Sequence, residues 1–169
     1  ILLRAGADIN AVADFGETPL FPHVADNEIQ TAAALLARGA HVNAVNADGA
    51  TPLVHGGWAS LEMAILLVNN GADVDAVDPE TGWTAFHYAC FYGAPRCAEA
   101  LVLAGCDKSV RAKDGKTGRG VAQEQGHAAV LERLRSLETD EQRWLRAAQE
   151  GETEELTRLL DGGCDVDLM

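Results

Sequence analysis

The pattern Gly16-Glu17-Thr18-Pro19-Leu20, followed after a helix-sized interval by Leu35-Leu36-Ala37-Arg38-Gly39-Ala40-His41-Val42-Asn43, is copied along most of this chain of 169 residues. Its opening recurs at intervals of 33 residues, starting at Gly49, at Gly82 and, more weakly, at Gly115. Its closing half recurs at residues 2–10, 67–75, 101–107 and 159–167. A fixed period of this length is typical of repeat proteins, in which stacked units share one continuous core.

Each repeat opens with residues that favour the start of a helix. Thr18, Thr51 and Thr84 can accept a backbone N–H bond as helix N-caps. Pro19 and Pro52 would then occupy the first helical position, where a missing N–H has no effect. We therefore expect the first helix of each repeat to begin at these threonines.

Residues that tolerate the left-handed conformation are expected to separate and end the helices. Gly93 and Gly126 lie between the first and second helices, and Asn27 substitutes for glycine in the earlier repeat. Further glycines end the second helices, at positions 6, 39, 71, 105 and 163. The pattern predicts helices near 18–26, 28–38, 51–58, 60–70, 84–92, 94–104, 117–125, 127–137, 140–150 and 152–161.

These motifs resemble the ankyrin repeat family. Gly-x-Thr-Pro-Leu, a Gly or Asn at mid-repeat, and Leu-Leu-x-x-Gly-Ala-x-Val-Asn occur in that order and at the family's period over nearly the whole chain. The resemblance implies an all-α fold, namely a solenoid of stacked antiparallel helix pairs with short β-hairpin fingers. It also implies a protein-interaction module or scaffold that binds other proteins through its finger tips and its concave first-helix face.

We expect an ankyrin repeat array over residues 1–137 and a further helix pair over residues 138–169. The array would comprise a partial repeat at 1–13 and repeats at about 14–46, 47–79, 80–112 and 113–137. The last pair either continues the stack or caps a second array, and continuous stacking is favoured because short connections are normal between packed helices. The chain starts inside a second helix and stops where a finger would begin, so we expect a piece of a longer protein.

Three repeats depart from the pattern. Pro22 and His23 predict a short or distorted first helix in the second repeat. Each glycine of the Gly56-Gly57 pair is about 1 kcal/mol less favourable than alanine in a helix interior, so the third repeat should be the softest. Arg119 and Arg135 replace apolar packing residues in the fifth repeat, as expected for a terminal repeat that faces water.

Charge and cysteine content exclude several kinds of partner. The net charge of −13 and a pI near 4.6 repel phosphate backbones and anionic lipid surfaces, so we expect neither nucleic acid nor a membrane as partner. The four cysteines form no Cys-x-x-Cys pair and no zinc-type spacing, which favours an intracellular, cytoplasmic or nuclear, location. No apolar run approaches the roughly 20 residues of a membrane span.

No catalytic, metal-binding or cofactor-binding pattern is recognisable in the sequence. His23, His55 and His87 fall at three different repeat positions, so a shared metal site is not expected. His87 should instead brace its turn by hydrogen bonding, and Cys90 and Cys97 should be buried at apolar positions. We expect no cofactor, no small-molecule substrate and no enzymatic activity in these residues.

The resemblance places partner contacts beside the finger glycine and at the exposed end of the first helix. Carried onto this chain, the candidates are Phe15, Glu17, Asp48, Trp58, Glu80, Trp83, Phe91, Tyr92, Lys113 and Lys116. Clustered exposed aromatic residues are typical of binding hot spots. The alternative is that Trp58 fills the space beside Gly56-Gly57 and Phe91 packs on a neighbouring helix. The acidic members predict a partner with an apolar anchor flanked by Lys or Arg.

Two other hypotheses remain open. The repeats can form the substrate-recognition part of a larger enzyme, such as a ubiquitin ligase, a kinase or a secreted effector, whose catalytic domain lies outside this chain. Alternatively, the chain is itself a substrate, because Asn43, eight residues after Leu35, resembles the asparagine that ankyrin proteins present for hydroxylation.

Overall fold

The computed structural model describes residues 8–138 and 140–151. Its α-helices are α1 (Leu20–Ala25), α2 (Ile29–Leu36), α3 (Pro52–His55), α4 (Leu61–Asn69), α5 (Ala85–Phe91), α6 (Pro95–Leu103), α7 (Gly118–Glu124), α8 (Ala128–Ser136) and α9 (Asp140–Glu150). Each lies within a window predicted from the sequence, and most begin and end one or two residues inside it because helix ends fray. The predicted helix at 152–161 lies outside the described residues.

Apolar residues at the repeat period form one continuous core. The first helices α1, α3, α5 and α7 pack on one another in that order, and the second helices α2, α4, α6 and α8 do the same. Leu20, Leu53 and Phe86 contribute buried side chains from successive first helices. The second helices contribute Leu35, Leu67, Leu101 and Leu134 to the same apolar cluster. The all-α repeat fold predicted from the sequence is therefore confirmed.

Threonine hydroxyls cap three of the first helices. The side chains of Thr51, Thr84 and Thr117 each accept the backbone N–H three residues further on, at 3.3–3.5 Å. The cap predicted for Thr18 is wrong, because the Phe21 N–H that it would accept donates to the Thr18 carbonyl oxygen instead, at 3.0 Å. The resulting α1 has only six residues, which confirms the short first helix predicted for this repeat.

Left-handed residues separate the paired helices, as predicted. Asn27, Gly93 and Gly126 have φ angles of 56°, 66° and 72°. At Gly93 a side chain would also collide with the next repeat, since a Cβ would lie 2.7 Å from Nδ1 of His127. His127 Nε2 lies 2.8 Å from the carbonyl oxygen of Phe91, so this turn connects two repeats by a hydrogen bond as well as by packing.

The first helix of the third repeat is unusually short. α3 has four residues and is followed by the 3₁₀ turn Gly57–Ala59. The indole N–H of Trp58 donates to the carbonyl oxygen of Val54 at 3.1 Å, so this oxygen near the end of the shortened helix has a hydrogen-bond donor. A Cβ on Gly57 would lie 2.6 Å from Cδ1 of the buried Leu67. The second glycine of the pair therefore allows close packing, a role that the sequence does not predict.

Tight turns connect each second helix to the next first helix. They are called fingers here and comprise residues 13–17, 46–50, 78–83 and 112–116, each closed by a backbone hydrogen bond of 2.7–3.1 Å between its end residues. Neighbouring fingers are joined by Ala47 N–H to Phe15 O at 2.7 Å and by Lys113 N–H to Thr81 O at 3.0 Å. In the described ranges, β-structure is limited to the bridge Val77–Thr84. Regular β-hairpins are therefore not confirmed.

An ionic network joins the start of α7 to α9. Glu138 accepts from Arg119 at 2.6 Å and from Arg146 at 2.9 Å, and both arginines lie within 3.6 Å of Glu150. The side chains of Arg146 and Glu138 are only 8% and 10% exposed. The expectation that Arg119 faces water at the end of an array is wrong, because these carboxylates cover it. The boundary after residue 137 stays a prediction, since 139 and 152–169 lie outside the described residues.

Candidate functional site

Aromatic side chains form a continuous cluster beside α5. The Trp58 ring stacks on Tyr92 and Tyr88, with ring centroids 4.6 and 5.6 Å away. Trp83 contacts Tyr88 at 5.0 Å and Phe91 at 5.2 Å. Phe91 meets Tyr92 edge to face at 5.0 Å. These five residues, called the aromatic cluster, hold one another in place through ring contacts.

The aromatic cluster is only partly covered by the rest of the chain. Tyr92 is 59% exposed, and Trp58, Trp83 and Phe91 are half-buried. Trp58 also packs against the apolar core. The packing role considered for this residue is therefore compatible with a binding role for the part of its ring that stays exposed. The structure thus brings four of the predicted site residues together, while their role in binding stays a prediction.

Tyr88 belongs to the cluster but was not among the predicted site residues. Tyr92 is the C-cap of α5, and its spacing of four from Tyr88 places the two side chains on the same side of this helix end; this spacing is the sequence signal that identifies Tyr88. The Tyr88 hydroxyl donates to Asp78 Oδ2 at 2.7 Å. Asp78 also accepts from the Thr81 hydroxyl at 2.9 Å and from the Glu80 N–H at 2.8 Å. The third finger is therefore bonded directly to the aromatic cluster.

The Tyr88–Asp78 pair keeps its donor and acceptor roles at neutral pH. Burial and then the hydrogen bond to Asp78 raise the pKa of Tyr88 to about 12. Burial acts to raise the pKa of Asp78 as well, but hydrogen bonds from Tyr88, from the Glu80 N–H and from Thr81 outweigh it and lower that pKa. The carboxylate thus stays ionised and continues to accept the phenol proton.

A cleft of about 270 Å³ opens between the second and third fingers. Four of the predicted site residues, Asp48, Trp58, Glu80 and Tyr92, line it together with Asp78. Asp48 and Glu80 are exposed, and in the described part of the chain neither side chain forms a hydrogen bond or an ion pair. The cleft therefore combines aromatic walls with carboxylates that have no cationic partner of their own.

Phe15 and Glu17 lie outside the cleft, on the first finger. Phe15 is 81% exposed at the finger tip, and its φ of 62° is a left-handed conformation that the sequence did not predict. Glu17 Oε1 lies 4.0 Å from Nε2 of His55, a residue that lines the cleft. Glu17 is thus close to the edge of the cleft, whereas Phe15 is an exposed apolar side chain away from it.

Lys113 and Lys116 also lie outside the cleft, on the fourth finger. Lys113 is exposed. The Lys116 ammonium is 2.6 Å from Glu124 and 3.4 Å from Asp114, and the hydrogen bond to Glu124 is the main cause of its raised pKa. Lys116 therefore shares its charge with carboxylates of its own repeat, whereas no such pairing is described for Lys113.

The sequence interpretation of His87 and the cysteines is confirmed. His87 forms a capping box with Thr84, its Nε2 lies 3.2 Å from the Lys116 carbonyl oxygen, and burial lowers its pKa. Cys90 and Cys97 are buried. Within residues 8–138 and 140–151, no group of three or more His, Cys, Asp or Glu side chains is arranged to hold a metal ion. Every helix in those same ranges is too short or too polar to cross a membrane.

Asn43 forms hydrogen bonds that link two repeats. Its Nδ2 donates to the Gly71 carbonyl oxygen at 2.9 Å, and its Oδ1 accepts the Asp73 N–H at 2.8 Å. Asn10 makes the same two bonds one repeat earlier, with the backbone at residues 39 and 41. The structure gives Asn43 a role in joining two repeats by hydrogen bonds, and its hydroxylation stays a prediction.

Known proteins share the repeat pattern of this chain. A family model described as "Ankyrin repeats (many copies)" matches residues 54–102. The chain is 42% identical over 78 residues to ankyrin repeat and SAM domain-containing protein 6 of Mus musculus, covering 46% of this chain and 9% of that protein. It is 30% identical over 135 residues to ankyrin repeat protein nuc-2 of Neurospora crassa, covering 79% and 13%. The chain belongs to the ankyrin repeat family.

A third relative is named as a regulatory subunit. The ankyrin repeat chain is 45% identical over 56 residues to protein phosphatase 1 regulatory subunit 27 of Mus musculus, covering 33% of this chain and 36% of that protein. The chain thus spans between 9% and 36% of the length of these three relatives. Ankyrin repeats are general protein-interaction modules, and the name of the regulatory subunit agrees with that general role.

Proposed function

We propose that this ankyrin repeat chain binds a protein partner through the aromatic cluster and the fingers beside it. The observation that carries the proposal is the partly exposed ring network. Aromatic residues make up only 5% of the chain, yet five of them meet at one surface. Tyr and Trp are among the residues most enriched in binding hot spots.

The rings of the aromatic cluster are ordered before a partner arrives. Trp58 stacks on Tyr92, and Tyr88 is bonded to Asp78. Aromatic pairs of this kind contribute about 0.5–1.5 kcal/mol beyond the area they bury. Ordering a flexible side chain at an interface costs about 0.5–1.5 kcal/mol. Rings that are already fixed avoid much of this cost, so their contacts with a partner contribute more to the affinity.

The proposed partner presents an apolar or aromatic anchor with Lys or Arg on its flanks. Asp48 and Glu80 lie beside the cluster, and the whole chain carries a net charge of −13. Opposite charges of this kind speed the encounter between proteins more than they tighten the complex. The same negative charge disfavours nucleic acid and anionic membranes. In this proposal the repeats recognise a partner and carry no catalysis of their own.

The fingers supply the outer contacts in this proposal, acting as the β-hairpin fingers of the family. Phe15 and Glu17 extend the surface on one side, and Lys113 and Lys116 extend it on the other. Lys116 is already paired with Glu124, so we expect Lys113 to make the larger contribution at that end.

The proposal is tested by measuring the affinity of variants for an identified partner. Proteins captured on the wild-type chain are identified by mass spectrometry, and the binding of a purified partner is then measured by calorimetry. We expect Tyr92→Ala to weaken binding by about 2 kcal/mol or more, roughly 30-fold, because it removes a hot-spot ring. Leu103→Ala is the matched control, since Leu103 is an apolar side chain that is 71% exposed on α6. Its loss should change the affinity less than about threefold.

The folded state of each variant is checked by circular dichroism and thermal unfolding. Unchanged affinity in Tyr92→Ala, or an equal loss in both variants, would overturn the proposal. A large fall in melting temperature for Tyr92→Ala would show instead that the ring serves the core, and Tyr92 would then not be a hot spot of the proposed surface.

A further inference from the structure

We propose that the cleft between the second and third fingers binds an arginine side chain of the partner, with the guanidinium between the exposed ring of Tyr92 and the carboxylates of Asp48 and Glu80. This inference rests on the proposed function and names the chemistry of one part of that surface. It is carried by the size of the cleft, by its unpaired carboxylates and by its aromatic wall.

The size of the cleft fits one long side chain. Its volume of about 270 Å³ is below the roughly 300 Å³ at which small-molecule sites begin. This volume suits a single side chain inserted from a partner.

The charges that line the cleft favour a cation. Asp48 approaches from the second finger, and Asp78 and Glu80 approach from the third. Asp78 is occupied by the hydroxyls of Tyr88 and Thr81. Asp48 and Glu80 form no side-chain hydrogen bond or ion pair within residues 8–138 and 140–151, and the lining includes no lysine or arginine. A partner can therefore supply the positive charge that the cleft itself lacks.

The aromatic wall favours arginine over lysine. A guanidinium is planar, so its face can lie against the ring of Tyr92 while its N–H edges donate to carboxylates on two different fingers. A lysine ammonium is a compact and strongly hydrated charge that cannot stack in this way. Tyr92 lines the cleft and is the most exposed residue of the aromatic cluster, so the part of its ring that Trp58 leaves uncovered is available for such a contact.

The test uses small probes and the whole chain. Isotopically labelled protein is titrated with N-acetyl-arginine methylamide, and with the lysine and citrulline forms of the same compound, while amide and indole resonances are recorded by NMR. Citrulline has the shape of arginine but no charge. We expect saturable shifts at the Trp58 indole N–H and at the amides of Asp48, Glu80 and Tyr92 with arginine, at least about threefold weaker binding with lysine, and no saturable shifts with citrulline.

Isosteric variants locate the site. Asp48→Asn and Glu80→Gln should each weaken arginine binding at least about threefold. Asp114→Asn is the matched control, because Asp114 occupies the position on the fourth finger equivalent to Asp48, outside the cleft, and it should leave binding unchanged. Equal binding of citrulline, equal effects of Asp48→Asn and Asp114→Asn, or no saturable shift with arginine would overturn the inference.

The two proposals fail in different ways. If Tyr92→Ala weakens partner binding but the arginine probe does not bind, the proposed function stands and the arginine cleft is wrong. If the probe binds as expected but Tyr92→Ala leaves the partner affinity unchanged, the cleft accepts arginine and the aromatic cluster is not the partner-binding surface.

Discussion

Replacing Gly118, at the start of α7, with alanine is expected to destabilise the protein, although helix propensity alone predicts the opposite. Propensity alone predicts that alanine stabilises a helix by about 0.4–1 kcal/mol relative to glycine. In the structure, a Cβ at this position would lie 2.6 Å from Cδ1 and from Cε1 of Phe86, and 3.3 Å from Sγ of Cys90. Phe86 is 1% exposed where α5 packs on α7, so its rigid ring has no free space to enter.

The expected magnitude follows from these two opposing effects. Overpacking a core typically costs about 1–3 kcal/mol, and the helix gain returns at most about 1 kcal/mol. We therefore expect Gly118→Ala to lower the free energy of unfolding by up to about 2.6 kcal/mol, measured by urea denaturation followed by circular dichroism.

Gly120→Ala is the matched control on the same helix. A Cβ there would meet only Thr117 Oγ1, at an ordinary contact distance of 3.6 Å. This substitution should raise the free energy of unfolding by about 0.4–1 kcal/mol. If Gly118→Ala is as stable as Gly120→Ala, the repeats do not pack as closely as described and the reasoning is refuted.

Three further predictions concern other repeats. Amide hydrogen exchange should be faster at residues 52–59 than at 84–92, because α3 has a single turn; equal protection would contradict this. Asn43→Ala should lower the free energy of unfolding by about 1–2 kcal/mol, since it removes both side-chain bonds to the next repeat, whereas Asn70→Ala loses only one local bond and should cost less in the same denaturation assay. His87 has a pKa lowered below 6.5 in the folded state, so the unfolded state protonates first and stability falls as the pH drops from 6.5 towards the folded value. The melting temperature of His87→Gln should fall less steeply than that of the wild-type chain over that pH range. An identical dependence of melting temperature on pH in the two proteins would contradict this prediction.

Local rules were sufficient to predict the helices. The Thr84 cap and the left-handed Asn27 depend on neighbouring residues in the chain, and both are observed as expected. The cap at Thr18 failed because the N–H it needed is bonded to a carbonyl oxygen, a choice that the residue types do not reveal. The packing role of Gly57 depends on Leu67, ten residues away, and becomes visible only when the helices are assembled.

The binding surface was predictable only in part. Family positions located Trp58 and Tyr92, and the structure shows that they stack. Tyr88 lies outside those positions, so only its helical spacing from Tyr92 indicated its place in the cluster. The cleft depends on how two fingers are arranged in space. The sequence therefore could not predict that Asp48 lines the cleft while Lys116 lies outside it.

The position of the bound partner tests the central claim most directly. Hydrogen exchange of the whole chain should be measured with and without an identified partner, because this maps the contact surface without any substitution. We expect increased protection at residues 46–50, 78–83 and 88–92, which carry the fingers and the aromatic cluster. Exchange should stay unchanged around Ile65 and Leu103, exposed apolar residues that line a groove between α4 and α6. Protection concentrated at that groove, with unchanged exchange at the aromatic cluster, would contradict the proposed binding surface.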